Sequence, residues 1–262
     1  MKIKECDKIV FCGIGGSSMP GEIIQSLDLE IPVFISREKL PKWVNKKTLC
    51  FVISYSGNTK ETISLYKKAK QKKCKIIIIT SGGKLGKEKQ EKYLVPKNHL
   101  PREAVFVMLE EILPILKIKK PSIKIKNKDK KKAKRLAKDI HEKIPVIYSS
   151  SESLKCLSYR WQTVFNENSK LLAHGNYFPE IAHNEIESDS LEKVVKILLL
   201  DKKTKKMKKI MKKSWKIIKL KGKTKLEKIY YGIKIGDEVS KEIASLKGID
   251  YKETPKINSL HD

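Results

Sequence analysis

The apolar positions in the first part of the chain fall into short runs separated by amphipathic segments. The apolar runs predict buried strands, and apolar residues at helical spacing predict helices between and after them. Strands and helices that alternate in this way are typical of an α/β domain with a parallel sheet. The predicted strands span residues 8–12, 31–35, 49–53 and 75–80. The predicted helices span residues 20–27, 38–44, 59–71 and 101–117.

The same alternation returns after a lysine-rich stretch at residues 118–134, which contains Pro121. This stretch is the predicted linker, and it merges into a helix that ends near His141. The pattern therefore predicts two similar α/β units, at residues 1–120 and 121–262. Predicted strands of the second unit span residues 144–148, 194–200 and 217–220, and predicted helices span residues 154–172, 203–213 and 231–246.

The formal net charge of the chain is +28, from 58 basic and 30 acidic residues. Such an excess is typical of proteins that bind nucleic acids. However, only four of the basic residues are arginines, whose planar fork is preferred for reading bases and clamping phosphates. The lysines are spread over almost every polar segment. We therefore interpret the charge as a lysine-rich surface that attracts anionic metabolites, and we expect no nucleic-acid partner.

The sequence carries no signal for a membrane or a metal ion. No apolar run reaches the length of a membrane span, and the first residues lack the layout of a signal peptide. The five cysteines are scattered without a C-x-x-C spacing, which favours reduced core thiols and a cytoplasmic protein. The five histidines show no metal-ligand spacing, so we expect no metal and no other cofactor.

Two glycine- and serine-rich turns follow the first and third predicted strands, at residues 13–18 and 54–62. Turns at the ends of neighbouring parallel strands would place hydroxyls, backbone N–H groups and a helix N-terminus around one phosphate. Neither turn matches the P-loop or the G-x-G-x-x-G pattern, which favours a sugar phosphate over a nucleotide. A capped turn without a ligand is the alternative. The candidate residues are Gly15, Gly16, Ser17, Ser54, Ser56 and Thr59.

Two titratable residues of the second half are candidates for acid–base chemistry. Glu167 lies beside the apolar face of a predicted helix, between two asparagines, where a carboxylate can act as a general base. A solvated helix glutamate is the alternative. His183 lies in a predicted loop after Pro179 and can titrate near neutral pH, although a lone histidine is more often structural.

These segments together resemble a known family. The turns at residues 13–18 and 54–62 resemble the phosphate motifs of sugar isomerase (SIS) domains. Residues 101–104, 166–170 and 179–186 resemble motifs of the bifunctional phosphoglucose/phosphomannose isomerases of archaea and some bacteria. The match runs in order over nearly the whole chain, and the later motifs are much more specific than the first two.

The resemblance implies two SIS-type subdomains, each a parallel sheet flanked by helices, the first binding the sugar phosphate and the second carrying catalytic groups. It implies a cofactor-free isomerase that interconverts glucose 6-phosphate, and mannose 6-phosphate, with fructose 6-phosphate through a cis-enediol. Glu167 would move the proton, and Arg102 would stabilise the enediolate. His183 would assist ring opening, typically across the interface of a homodimer with a shared site. The phosphate would bind at Gly15, Gly16, Ser17, Ser54, Ser56 and Thr59.

The chain departs from the family near its C-terminus. Relatives usually carry a lysine there that assists ring opening, whereas His261 stands at the matching place, with Lys256 as a weaker substitute. Thr254 matches a threonine linked in the family to the acceptance of both epimers. The competing hypothesis is a non-catalytic SIS module that senses a sugar phosphate. It would need the two turns but not Arg102, Glu167 and His183.

Overall fold

A computed structural model describes residues 5–188, 193–211 and 213–259. The chain divides into two compact units, Met1–Lys120 and Pro121–Asp262. Each unit contains one parallel sheet flanked by helices, which confirms the predicted α/β class. Within the described residues, no helix is long and apolar enough to cross a membrane.

The sheet of the first unit has the strand order β2-β1-β3-β4-β5, with all neighbours parallel. Its central strands are almost completely buried because apolar residues occupy both faces, as expected when helices cover both sides of a sheet. The strands are β1 (Lys8–Cys12), β2 (Val33–Ser36), β3 (Thr48–Ile53), β4 (Lys75–Thr80) and β5 (Glu91–Leu94). The helices are α1 (Met19–Gln25), α2 (Lys60–Gln71), α3 (Gly83–Gly86) and α4 (Val105–Ile115).

The second unit repeats this plan with the strand order β7-β6-β8-β9, again all parallel. Helices α6 and α8 pack against each other, and the buried Trp161 indole donates to the Gly232 carbonyl at 2.9 Å. The strands are β6 (Ile144–Ser149), β7 (His174–Tyr177), β8 (Val194–Leu200) and β9 (Lys216–Lys219). The helices are α5 (Asn127–Ile140), α6 (Lys155–Ser169), α7 (Lys205–Ile210), α8 (Lys225–Leu246) and α9 (Pro255–Asn258).

The prediction of a helix at residues 38–44 is wrong. This segment consists of turns, and the Ser36 hydroxyl donates to the Lys39 carbonyl at 2.7 Å to close the first of them. Pro41 lacks an N–H group and disfavours helical geometry in the residue before it, so a regular helix cannot run through this segment. The prediction also missed β5 and β7, which lie at the edges of their sheets and have no continuous apolar run.

Both sheets have a switch point, where the next two strands along the chain lie on opposite sides of the first strand. In the first sheet, β1 is followed by β2 on one side and by β3 on the other. Ligands of open α/β sheets bind at the carboxyl ends of the strands at such a switch point. The two glycine- and serine-rich turns follow β1 and β3, so the topology places both of them at this position.

A buried carboxylate joins α5 to α8 in the second unit. The Asp129 side chain is 1% exposed, forms an ion pair with Lys221, and accepts from the Tyr231 hydroxyl at 3.1 Å. It also accepts from the backbone N–H of Lys126 at 3.0 Å, which caps α5. Burial alone would raise the pKa of Asp129, but the hydrogen bonds from Lys221, Lys126 and Tyr231 outweigh burial and lower it.

We expect Asp129→Asn to lower the free energy of unfolding at pH 7 by about 1–3 kcal/mol, because buried donors lose a charged acceptor. The lowered pKa means that the contribution is complete above the unfolded pKa of about 3.9 and is lost as the pH falls through the folded pKa. Urea unfolding at a series of pH values tests this. The control is Asp139→Asn on the same helix, whose ion pair with Lys216 is exposed and worth about 0–1 kcal/mol. A stability difference independent of pH would contradict this role for Asp129.

Candidate active site

The turn after β1 is a short 3-10 segment, Gly15–Ser17, that leads into α1. A Cβ atom on Gly16 would lie 2.9 Å from the Pro101 carbonyl oxygen and 3.1 Å from Arg102 Cα. Glycine at this position therefore allows the backbone before α4 to approach closely. The Ser17 hydroxyl accepts from the Tyr55 N–H at 3.2 Å, which joins this turn to the one after β3.

The turn after β3 is organised by its own hydroxyl groups. Ser54 Oγ accepts from the Gly57 N–H at 3.1 Å and lies 3.0 Å from Thr59 Oγ1. Ser56 Oγ accepts from the Asn58 N–H at 3.3 Å. Thr59 is the N-cap residue of α2, and among the described contacts its side chain makes no capping bond to that helix. The first turn of a helix carries N–H groups without intrahelical partners, which suits an anion at this point.

Arg102 lies next to these turns within the first unit. It is only 5% exposed and sits in the turn that precedes α4, with its backbone against Gly16. Arginine carries a permanent charge and a fixed set of N–H donors, so Arg102 is a candidate for a cation beside the two glycine- and serine-rich turns.

Glu167 lies in the last turn of α6, and the neighbouring motif residues fix that turn. The Asn168 amide donates to the Ser240 hydroxyl of α8 at 2.8 Å, and the Ser169 hydroxyl donates to the Ser240 carbonyl at 2.8 Å. Asn166 Oδ1 accepts from the Ala173 N–H at 3.0 Å, after the end of the helix. Buried hydrogen bonds thus hold the Asn168 side of Glu167 and a partly buried one holds the Asn166 side, while Glu167 itself is only partly buried.

Glu167 lines a pocket of about 490 Å³ at the C-terminal end of α6. The structure brings Thr254 into the same pocket, 87 residues later in the chain, together with Lys256, the weaker candidate for the C-terminal cation. The wall that carries Glu167 consists of Asn166, Glu167, Lys170, Leu171 and Leu172, and the opposite wall consists of Thr254, Pro255, Lys256 and Ile257. Four of the nine lining residues are apolar and five are polar or charged, and the surface that they present to the pocket is mainly apolar.

His183 ends a 3-10 turn whose preceding residues, Ile181 and Ala182, are buried against β6 and β8. Glu185 anchors the loop from the other side, because it accepts from the Tyr148 hydroxyl at 2.7 Å and from the Asn176 amide at 2.5 Å. Burial and then the hydrogen bond to Glu185 raise the pKa of Tyr148, so this phenol remains a donor. Sequence reasoning missed these two anchoring partners because 37 and nine residues separate them from Glu185.

The predicted site residues thus form separate groups. The phosphate turns and Arg102 lie together in the first unit, and Glu167 and Thr254 lie together in the second. His183 is exposed and does not line the pocket that Glu167 lines. His261 lies outside the described residues.

The second sheet also has a serine at its switch point. The Ser150 hydroxyl accepts from the Asp201 N–H at 3.0 Å, so this hydroxyl is hydrogen-bonded within the protein.

Comparison with known proteins identifies the family of the chain. The family described as the bacterial phospho-glucose isomerase C-terminal SIS domain matches residues 129–262, and the SIS domain family matches residues 39–98. A bifunctional phosphoglucose/phosphomannose isomerase of Thermoplasma volcanium is 33% identical in an alignment of 280 positions, gaps included. The alignment covers 99% of this chain and 92% of that protein. The chain belongs to the bifunctional phosphoglucose/phosphomannose isomerase family. The suggested resemblance is therefore confirmed.

This phosphoglucose/phosphomannose isomerase family also has relatives with other chemistry. A D-glucosamine-6-phosphate 4-epimerase of Sulfolobus acidocaldarius is 34% identical over 202 residues, which cover 71% of this chain and 65% of that protein. A glucosamine-6-phosphate deaminase of Thermotoga maritima shares the fold with a TM-score of 0.71 and 14% identity, over 96% of this chain and 89% of that one. The fold is thus common to several reactions, so the reaction has to be argued from the site.

Proposed function

We propose that the protein is an aldose–ketose isomerase that interconverts glucose 6-phosphate and mannose 6-phosphate with fructose 6-phosphate. The observation that carries this proposal is the position of Glu167, a partly buried residue that lines a pocket with a mainly apolar surface and lies between the buried bonds of Asn168 and Ser169 and the partly buried bond of Asn166. A base for proton transfer at carbon needs a fixed orientation, and these bonds fix the end of the helix that carries Glu167.

The phosphate end of the substrate binds at the switch point of the first sheet. Gly15, Gly16 and Ser17 form one side of this site, and Ser54, Ser56 and Thr59 form the other. Small residues allow the backbone to approach the ester, hydroxyls and helix N–H groups donate to its oxygens, and the positive surface of the chain raises the rate of encounter.

Glu167 takes the proton from C2 of the open aldose, and the electrons of that bond form the enediolate with negative charge on O1. The same carboxyl group returns the proton to C1, and a proton moves from O2 to O1, which gives the ketose. Arg102 stabilises the enediolate, because a fixed cation is most valuable where negative charge develops. Thr254 contacts the C2 region and permits both epimers, and His183 opens the sugar ring, with His261 or Lys256 as a further acid.

We further propose a homodimer in which the partner's His183 completes the active site. The support is that His183 is exposed and lies outside the pocket that Glu167 lines. The free cysteines support a cytoplasmic location, and the even spread of lysine supports a surface without a nucleic-acid site. The proposed reaction, which needs no cofactor, would serve glycolysis or gluconeogenesis.

A coupled assay of the purified protein with each aldose phosphate tests this function. We expect turnover of both glucose 6-phosphate and mannose 6-phosphate to fructose 6-phosphate. Stabilisation against heat by fructose 6-phosphate without turnover would instead indicate the non-catalytic sensor. Glucosamine 6-phosphate is the third substrate to be assayed, because a product changed only at C4 would indicate the chemistry named for the Sulfolobus relative.

A further inference from the structure

Lys170 ends helix α6 in an unusual conformation. Its φ and ψ angles are 49° and 37°, in the left-handed region that glycine or asparagine normally occupies at a helix C-terminus. A lysine at this position costs more backbone energy than a glycine would, because its Cβ crowds the neighbouring carbonyl group. Lys73 and Lys117 also have positive φ angles after helices, so what distinguishes Lys170 is the set of contacts that its side chain makes.

The ammonium group of Lys170 connects the two walls of the Glu167 pocket. Lys170 Nζ donates to the carbonyl oxygen of Glu167 at 2.6 Å and to the carbonyl oxygen of Glu253 at 2.5 Å. Glu253 directly precedes Thr254, and Lys170 itself lines the pocket. One cation thus holds the backbone of the proposed base and the backbone next to the proposed specificity residue.

Several other hydrogen bonds of the segment that carries Thr254 join residues close together in the sequence, between residues 250 and 257. Lys252 N–H donates to the Asp250 carboxylate, Glu253 N–H donates to the Asp250 carbonyl, and Ile257 N–H donates to the Thr254 carbonyl. These bonds shape the turn from within. The Lys170 bridge spans 83 residues of sequence and connects the turn directly to the end of α6.

We propose that Lys170 is a positioning residue that sets the spacing between Glu167 and Thr254. Through this spacing it sets the ratio of kcat/KM for glucose 6-phosphate to kcat/KM for mannose 6-phosphate. This inference rests on the proposed function. The two aldoses differ only in configuration at C2, where Glu167 acts, so a small displacement of the Thr254 wall changes their relative fit. A displacement of about 1 Å in an active site can cost about 10²-fold in rate.

The experiment compares Lys170→Met, Lys170→Gly and Lys170→Arg in the full-length protein. Lys247→Met is the matched control, because the Lys247 ammonium group also joins this region to α6, at the Ser169 carbonyl (3.2 Å), but does not line the pocket. The readouts are kcat and KM for both aldose phosphates, the melting temperature, and hydrogen exchange of the backbone amides of residues 249–257 without substrate.

For Lys170→Met and Lys170→Gly we expect kcat to fall about tenfold, the ratio of the two kcat/KM values to change, and residues 249–257 to exchange faster. Lys170→Gly should melt no lower than Lys170→Met, because glycine relieves the left-handed backbone. Lys170→Arg should recover most of the activity, and Lys247→Met should behave as the wild type.

Unchanged exchange in Lys170→Met and Lys170→Gly would overturn the proposed bridge. Faster exchange with an unchanged substrate ratio would overturn its role in specificity. An equal loss in Lys247→Met would show that the effect is not particular to the Lys170 bridge and would also overturn that role. If the wild type turned over neither aldose phosphate, the proposed function would fail. The exchange experiment would still decide whether Lys170 holds the Thr254 wall.

Discussion

Glu167→Gln is expected to lower kcat for both aldose phosphates by about 10²–10⁴-fold, the usual contribution of a general base. Glutamine has nearly the same size and keeps an acceptor oxygen, so the bonds of Asn166, Asn168 and Ser169 around it should persist. The affinity for fructose 6-phosphate should therefore change less than about threefold, because phosphate binding is assigned to other residues.

Steady-state kinetics and calorimetric binding of fructose 6-phosphate check this expectation. Glu152→Gln is the control, because Glu152 is an exposed carboxylate before the same helix whose 3.9 Å contact with Lys155 is weak. A Glu167→Gln variant that keeps more than about a tenth of the activity would rule out Glu167 as the base, since residual catalysis of that size needs a working proton acceptor.

Gly57→Ala is expected to damage the phosphate site and the first unit together. Gly57 has a φ of 70°, and a Cβ atom there would lie 1.9 Å from the Gly82 carbonyl oxygen, which is far inside van der Waals contact. The turns after β3 and β4 would have to separate, and the Ser54–Gly57 bond would break. We expect a loss of about 2–4 kcal/mol in the free energy of unfolding and at least a tenfold rise in KM.

Gly86→Ala in the same unit is the matched control for Gly57→Ala. An added Cβ on Gly86 would lie 3.9 Å from Thr80 Cγ2 and 4.0 Å from Leu94 Cδ2, which is ordinary contact. This variant should keep the wild-type KM and gain up to about 1 kcal/mol of stability. Urea unfolding and kinetics with both sugar phosphates make the comparison, and equal behaviour of the two variants would remove the strain argument.

Local sequence information was sufficient where a strand was buried on both faces. The runs at β1, β3, β4 and β8 consist mainly of apolar residues and are close to fully buried, so their position and their type could both be predicted. The edge strands β5 and β7 have the sequences EKYL and HGNY and are largely exposed. Their pairing depends on neighbouring strands rather than on their own composition, which is why they were not predicted.

The positions of the two glycine- and serine-rich turns could be predicted because each is a contiguous motif after a strand. The contact of Gly16 with Pro101 and Arg102 could not, because about 85 residues separate the partners and no local pattern marks them. The same holds for the pocket shared by Glu167 and Thr254. The role of Lys170 was also invisible in the sequence, because it depends on a left-handed backbone and on a carbonyl 83 residues away.

The central claim is that this chain moves a proton between C1 and C2 of a phosphorylated hexose. Incubation of fructose 6-phosphate with the wild type in D₂O, followed by NMR of the products, tests it most directly. We predict that the wild type forms both glucose 6-phosphate and mannose 6-phosphate, with deuterium at C2 in the fraction of turnovers in which the carboxyl proton exchanges with solvent before it is transferred, and that Glu167→Gln forms both products at least about 10²-fold more slowly. No aldose phosphate from the wild type, aldose phosphates formed at the wild-type rate by Glu167→Gln, or a product altered only at C4, would contradict the claim.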